Sequence, residues 1–151
     1  MAANIVWLLS ALMVIATVTV HYEIIMIVSD YVVPWAKKHI HSRRVMSFAI
    51  AGLLAGHVLE IFLFALAIKL LVSFPEFGSV IGDFTGIWED YLYLSAVNYT
   101  SIGADSIRLT GPVRMLAAGE TLAGLMMIAW SASFTYLKME MIWERRRARR
   151  D

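Results

Sequence analysis

The segment that decides the fold is residues 88–107, WEDYLYLSAVNYTSIGADSI. Its first part, 88–99, is apolar and aromatic, but it is shorter than the roughly 20 residues that a membrane-spanning helix needs. Glu89 and Asp90 stand at its start, where the positive end of a helix dipole favours carboxylates. A half-helix that enters the membrane and returns as extended chain explains both its length and its hydrophobicity. We therefore predict a re-entrant helix followed by an extended loop.

The rest of the chain has the composition of an integral membrane protein. Of its 151 residues 60% are hydrophobic and only 17% are charged, which is far more apolar than an average soluble domain. Three segments are long and apolar enough to span a bilayer, namely 5–33, which we expect to end at Pro34, then 45–72 and 113–141. The chain has no cysteine, which excludes disulfides and thiolate metal sites.

Two basic clusters define the expected topology. One lies in the loop 36–44 and the other in the tail 142–151. The positive-inside rule places both clusters in the cytoplasm, so the N-terminus is expected outside and the C-terminus inside. Lysine and arginine beside a span also favour contact with anionic lipid headgroups, and we expect no nucleic acid as a partner.

The loop after the predicted half-helix resembles the selectivity filter of the potassium channel superfamily, whose core reads T-V-G-Y-G followed by Asp. The aligned residues are Thr100 and Ser101 for the family's two threonines, Ile102 for valine, Gly103 for the first glycine, and Ala104, Asp105 and Ser106 for Tyr, Gly and Asp. Residues 110–114, TGPVR, resemble the turn before the family's inner helix, and Gly124 aligns with its hinge glycine. The resemblance covers about 88–136 and is closest to small bacterial members with two spans before the pore loop.

This resemblance implies an all-α membrane protein with three transmembrane helices, a re-entrant pore helix and a filter loop, assembled as a homotetramer in a bacterial cell membrane. Residues 1–72 would hold two outer helices. Residues 73–141 would form the pore module, with the pore helix at 86–99, the filter at 100–105 and the inner helix at 113–141. Residues 142–151 would be a cytoplasmic tail.

The implied function is passive conduction of monovalent or divalent cations, without catalysis or an organic cofactor. Backbone carbonyls of such filters replace the water around the ion, and rings of Asp select cations where carbonyl cages are absent. Ala104 removes the tyrosine that holds the family's filter at fixed width, so potassium selectivity is expected to be weak or lost. Asp105 is expected to tolerate the left-handed conformation of the glycine that it replaces. The alternative is a non-conducting structural or regulatory subunit.

The resemblance also assigns roles to the last span. Gly124 would permit bending, and the cavity would be lined by Leu125, Ile128, Ala132 and Tyr136. These four residues share one helical face, although any buried helix has such a face.

Ionisable residues inside the predicted spans are functional hypotheses by default, because burying charge in hydrocarbon is costly. They are His21, Glu23, His57, Glu60 and Glu120. His57 and Glu60 lie one helical turn apart and are expected to bond each other or a neighbouring helix, with His21 and Glu23 as possible partners. A metal or haem site using these residues is the rival interpretation. Glu120 is expected either behind the filter, bonded to its backbone or to the pore helix, or facing the cavity.

Overall fold

The computed structural model describes residues 2–39 and 44–147 and is mostly helical. The helices are α1 (Ala2–Ile27), α2 (Val33–His39), α3 (Val45–Val72), α4 (Trp88–Tyr99) and α5 (Arg114–Arg147), and the strands are β1 (Ser79–Gly82) and β2 (Ile107–Thr110). Three helical segments are long and apolar enough to cross a membrane, namely Ala2–His39, Val45–Val72 and Arg114–Glu144. The chain is therefore assigned as an integral membrane protein. The predicted loop residues 40–43 and tail residues 148–151 lie outside the described residues.

The first span does not end at Pro34, as the sequence predicts, but continues as helix to His39. A π-helical turn at Val28–Val32 joins α1 to α2, and within it the Val33 amide donates to the Val28 carbonyl, five residues back. Proline ends an α-helix because it lacks an N–H and its ring clashes with the carbonyl four residues earlier. The wider π turn changes the bonding pattern at that point, and the helix passes through the proline.

The prediction of an all-α fold is wrong in one detail, because β1 and β2 form an antiparallel ribbon. Ser79 pairs with Thr110 and Gly82 pairs with Ile107. The ribbon joins the chain entering α4 to the chain leaving the loop after it. The two strands therefore hold both ends of the segment 83–106 together.

Two helix boundaries also differ from the prediction. The short helix begins at Trp88 rather than at 86, and the last helix runs from Arg114 to Arg147, so 142–147 belong to a helix rather than to a tail.

The apolar core lies where α3, α4 and α5 meet. Phe64 and Ile68 of α3 pack with Leu94 of α4 and Leu116 of α5, and all four are buried. At the entrance of α4, the Lys69 ammonium lies 5.0 Å from the centre of the Trp88 ring, a cation–π contact that ties this helix to α3. The core thus holds a helix of twelve residues between two long ones.

A second buried cluster joins α1 and α2 to the first half of α3, through Ile25, Val28, Ala36, Ala49 and Leu53. Lys138 of α5 reaches the same region and donates to the Ser29 hydroxyl at 2.9 Å. The outward faces of the three long helices expose large apolar side chains, as expected of surfaces in contact with lipid.

Candidate functional site

The chain just before α4 is bonded to the first turn of that helix. Asp90, in its first turn, accepts hydrogen bonds from the backbone amides of Thr85 and Gly86 at 2.7 and 3.0 Å and from the Thr85 hydroxyl at 2.8 Å. The bonds from Thr85 lower the pKa of the Asp90 carboxyl below its ordinary value, because they stabilise its charged form. The carboxylate also lies at the positive end of the helix dipole. The local sequence thus fixes where α4 begins.

Buried polar contacts hold α4 against both long helices. The Ser95 hydroxyl contacts the Ile61 carbonyl of α3 at 2.7 Å and the Glu120 carboxyl of α5. The Thr121 hydroxyl donates to the Asn98 carbonyl at 2.9 Å. Glu120 is fully buried and accepts a hydrogen bond from Ser95, so of the two positions considered for it the structure shows the one bonded to the short helix.

Gly124 lets the end of α4 approach α5 closely. A Cβ at this position would collide with the Tyr99 carbonyl oxygen and would lie 2.9 Å from Cγ of the Tyr99 ring. Helix α5 continues unbroken through this residue. The structure therefore gives Gly124 a packing role, and its predicted role as a hinge stays a prediction.

The loop 100–105 follows α4 with two left-handed residues, Ser101 at φ 62° and Gly103 at φ 76°. Asp105, which is expected to tolerate a left-handed conformation, does not adopt one here, because Ser101 is the only non-glycine residue with positive φ in the described part of the chain. The amides of Ile102 and Gly103 both turn back and donate to the Val97 carbonyl at 3.0 Å. Both left-handed residues therefore precede residues 104–106, where the motif differs from that of the family.

The carbonyl oxygens of this loop are free. Within residues 2–39 and 44–147, no hydrogen bond ends on a backbone carbonyl of residues 100–105. Thr100, Ser101, Gly103 and Asp105 are exposed, Ile102 is 78% exposed, and Ala104 is half-buried against the core. The loop therefore presents a row of unpaired acceptors beside an exposed carboxylate, a chemistry suited to cations.

The four residues predicted to line a cavity share an exposed face of α5. Leu125, Ile128, Ala132 and Tyr136 are all exposed in the single chain. No contact within residues 2–39 and 44–147 covers this face. In a single chain this exposed face of α5 is equally suited to contact with lipid or with other subunits.

A buried polar cluster joins four helices. His21 of α1 lies with its Nδ1 2.8 Å from Oε1 of Glu60 on α3, and the Tyr99 hydroxyl of α4 donates to the other oxygen of Glu60. His57 Nδ1 lies 2.8 Å from the same hydroxyl. The Ser131 hydroxyl of α5 lies 3.1 Å from His57 Nε2 and 3.2 Å from His21 Nε2. The expected meeting of His21, His57 and Glu60 is therefore present.

Glu23 does not join them, because it is exposed on another face of α1. Sequence reasoning missed Tyr99, Ser95 and Ser131. Tyr99 is the last residue of an aromatic segment and reads as an ordinary core residue, and Ser131 lies among small residues that suggest close helix packing. The i, i+3 pair of His57 and Glu60 was the only signal, and it does not identify partners on other helices.

Comparison of the chain with protein-family models, with curated proteins and with solved structures gave no match.

Proposed function

We propose that the chain is one subunit of a homotetrameric, potassium-channel-like pore that conducts cations passively across a cell membrane. The observation that carries this proposal is the loop 100–105, where the amides of 100–103 bond back to α4 and the carbonyls have no partner among the residues that the structure describes. Four such loops around an axis would supply rings of carbonyl oxygens that replace the water of a passing ion. One loop cannot surround an ion, which is why the proposal includes a tetramer.

The short helix supports the same function. Asp90 in its first turn binds the chain that precedes it, and its C-terminus at Tyr99 leads directly into the loop. The negative end of the helix dipole therefore lies next to the loop, where it favours a cation. Buried contacts through Ser95 and Thr121 fix this direction.

The altered centre of the motif predicts the kind of selectivity. Ala104 is too small to brace the loop, and Asp105 is exposed and not left-handed. Four Asp105 carboxylates at the outer mouth would attract cations with little regard to size. We therefore propose weak discrimination between potassium and sodium, with some divalent binding.

Ion flux through the purified protein in liposomes tests this function. We expect potassium, sodium and calcium to pass, and Asp105→Asn to lower calcium flux by about tenfold, the effect of losing about 1.4 kcal/mol of cation binding. Glu76→Gln is the matched control, because Glu76 is an exposed acid in the segment before β1. The triple change Ala104→Tyr, Asp105→Gly and Ser106→Asp is expected to raise the potassium to sodium permeability ratio.

The outcomes separate the alternatives. A tetramer that passes no cation at varied voltage, pH and tension would leave the non-conducting subunit as the better interpretation. Flux that is unchanged by Asp105→Asn would reject the carboxylate ring while leaving conduction intact. A stable monomer in mild detergent and in lipid would reject the pore itself.

A further inference from the structure

The buried polar cluster of His21, His57, Glu60, Tyr99 and Ser131 has two chemically different sides. On one side the Nδ1 atoms of both histidines converge on the Glu60 carboxylate and the Tyr99 oxygen. On the other side both Nε2 atoms converge on the single Ser131 hydroxyl, at 3.1 and 3.2 Å. His21 and Glu60 are fully buried, and the His57 side chain is 13% exposed.

Hydrogen bonds alone do not satisfy this arrangement when both imidazoles are neutral and Glu60 is ionised. Tyr99, Ser131 and each imidazole then supply one proton, which makes four protons for the five contacts of the ring. One contact would join two acceptors without a proton. The cluster would also carry a buried negative charge, which is costly in a low dielectric. A cation removes both problems, and it is either a fifth proton that makes an imidazolium beside Glu60 or a metal ion that takes the place of protons.

We infer that the cluster is a metal site in which His21 Nδ1, His57 Nδ1, the Glu60 carboxylate and the Tyr99 oxygen bind one Zn²⁺ ion. His21, His57 and Glu60 each offer a ligand atom within 4.8 Å of the others. Ligands of a tetrahedral zinc ion at about 2.0–2.1 Å lie about 3.3 Å from each other. The separations are 2.8 Å from His21 Nδ1 to Glu60, 2.8 Å from His57 Nδ1 to Tyr99 and 3.5 Å from His57 Nδ1 to Glu60. The Tyr99 hydroxyl and the Glu60 carboxylate are joined by a direct hydrogen bond, so these two ligands must move apart when they bind the ion.

The far side of the cluster supplies what metal-bound histidines need. An imidazole that binds metal through Nδ1 carries its proton on Nε2 and usually donates it to an oxygen, which fixes the tautomer and the ring orientation. Ser131 Oγ lies within reach of both Nε2 atoms and has two lone pairs to accept both protons. Both nitrogens of each imidazole then have a partner.

The charge also balances. Zinc binding displaces the phenolic proton of Tyr99, so that one Zn²⁺ ion, one phenolate and one carboxylate sum to zero with two neutral imidazoles. A neutral centre is the form that a membrane interior tolerates best. Four-coordinate sites made of nitrogen and oxygen ligands suit Zn²⁺, and a site with four protein ligands is closed and structural rather than catalytic.

Such an ion would fasten α1, α3 and α4 together at the base of the exposed loop. Tyr99 is the last residue of α4 and directly precedes Thr100. The metal would therefore fix the end of the short helix, whatever the loop conducts. This inference does not depend on the proposed function, and its test does not use ion flux.

Metal analysis of the purified protein is the experiment. We expect about one zinc per chain after extensive dialysis, retained by His39→Ala and lost by His21→Ala. His39 is an exposed histidine on α2, away from the cluster. Replacing zinc by Co²⁺ should give the strong visible absorption of a tetrahedral site, and Tyr99→Phe should change that spectrum.

A milder pair of variants protects the test against misfolding. Ser131→Ala should weaken zinc affinity by about 10- to 100-fold in competition with a chromophoric chelator, because it removes the acceptor of both Nε2 protons. Ser133→Ala, on the same helix and exposed, should leave the affinity unchanged. Folded wild-type protein that contains no zinc, and whose melting temperature does not rise when zinc is added, would overturn the inference. One equivalent of another transition metal would overturn the assignment to zinc.

Discussion

At the scale of single residues, Gly124 has a packing role that its position in the motif does not predict. Its sequence position suggests a hinge, whereas its surroundings are the carbonyl and ring of Tyr99. Tyr99 in turn reaches Glu60 and His57 in the buried cluster. A side chain at 124 would therefore disturb the end of α4 and the cluster together.

Gly124→Ala is expected to destabilise the protein by about 1–3 kcal/mol, because the added methyl group must push backbone atoms of α4 aside. Thermal unfolding in detergent measures the effect. Gly119→Ala is the control, since its Cβ would collide only with the Ser10 hydroxyl, which is able to rotate at the cost of its hydrogen bond to the Met115 carbonyl rather than by moving backbone. An equal melting temperature for the two variants would show that the contact with Tyr99 is not restrictive. A change in gating alone, without loss of stability, would support the hinge instead.

At the scale of elements, the stability of α4 depends on the neighbouring helices and on the bonds that Asp90 makes to the chain before it. A helix of twelve residues is marginal by itself, because few bonds offset the cost of nucleation. Its contacts with α3 and α5 supply the missing stability, and Asp90 in its first turn holds the preceding chain through the Thr85 amide. The element that carries the candidate site is therefore the one that tertiary packing must stabilise.

Asp90→Asn is expected to lower the melting temperature at pH 7, because it removes a charge that accepts three hydrogen bonds. The pKa of Asp90 is lowered on folding, so its contribution is complete above the unfolded value of 3.8 and is lost as the pH falls through the folded value. Melting curves of both proteins from pH 7 to below pH 4 should therefore converge at the acid end. Asp83→Asn is the control, because the Asp83 side chain is exposed and takes no part in the bonds between Asp90 and residues 85 and 86. A constant difference across this pH range would contradict the assignment.

At the scale of the whole molecule, the single chain leaves an apolar face of α5 uncovered. Leu125, Ile128 and Tyr136 lie on that face and are exposed, Tyr136 by 61%. In the proposed tetramer these residues of four chains would surround the axis. In a monomer they would face lipid, as Leu54 of α3 does.

The absence of cysteine allows a clean test of this arrangement. Tyr136→Cys is expected to give disulfide-linked dimers on mild oxidation in membranes, because tetramer symmetry would bring the four thiols near the axis, and a disulfide needs Cα atoms about 4.4–6.8 Å apart. The native Leu54 side chain is 59% exposed, and the Leu54→Cys variant should run as a monomer on a gel without reductant. Cross-linking at position 54 but not at 136 would place α3, rather than α5, between subunits.

Hydrophobicity and length along the chain were sufficient to predict the three spans and the short helix between the second and third. These are local properties, because a bilayer sets the length of any segment that crosses it and requires its backbone bonds to be internal. The hydrogen bonds of Asp90 are local too, since its partners lie within five residues of it along the chain.

The sequence did not predict the continuation of the first helix past Pro34, the pairing of β1 with β2, or the left-handed Ser101. Nor did it predict that Tyr99 and Ser131 complete the cluster around Glu60. The π turn and the left-handed Ser101 rest on local hydrogen bonds that no simple periodicity marks, whereas the strand pairing and the cluster depend on atoms from distant segments. Ser10 and Met115, or His21 and Ser131, meet only after α1 has packed on α5. Side-chain periodicity tells which residues are buried, but the three-dimensional packing decides which polar groups meet, because partners more than a hundred residues apart leave no pattern in a local window.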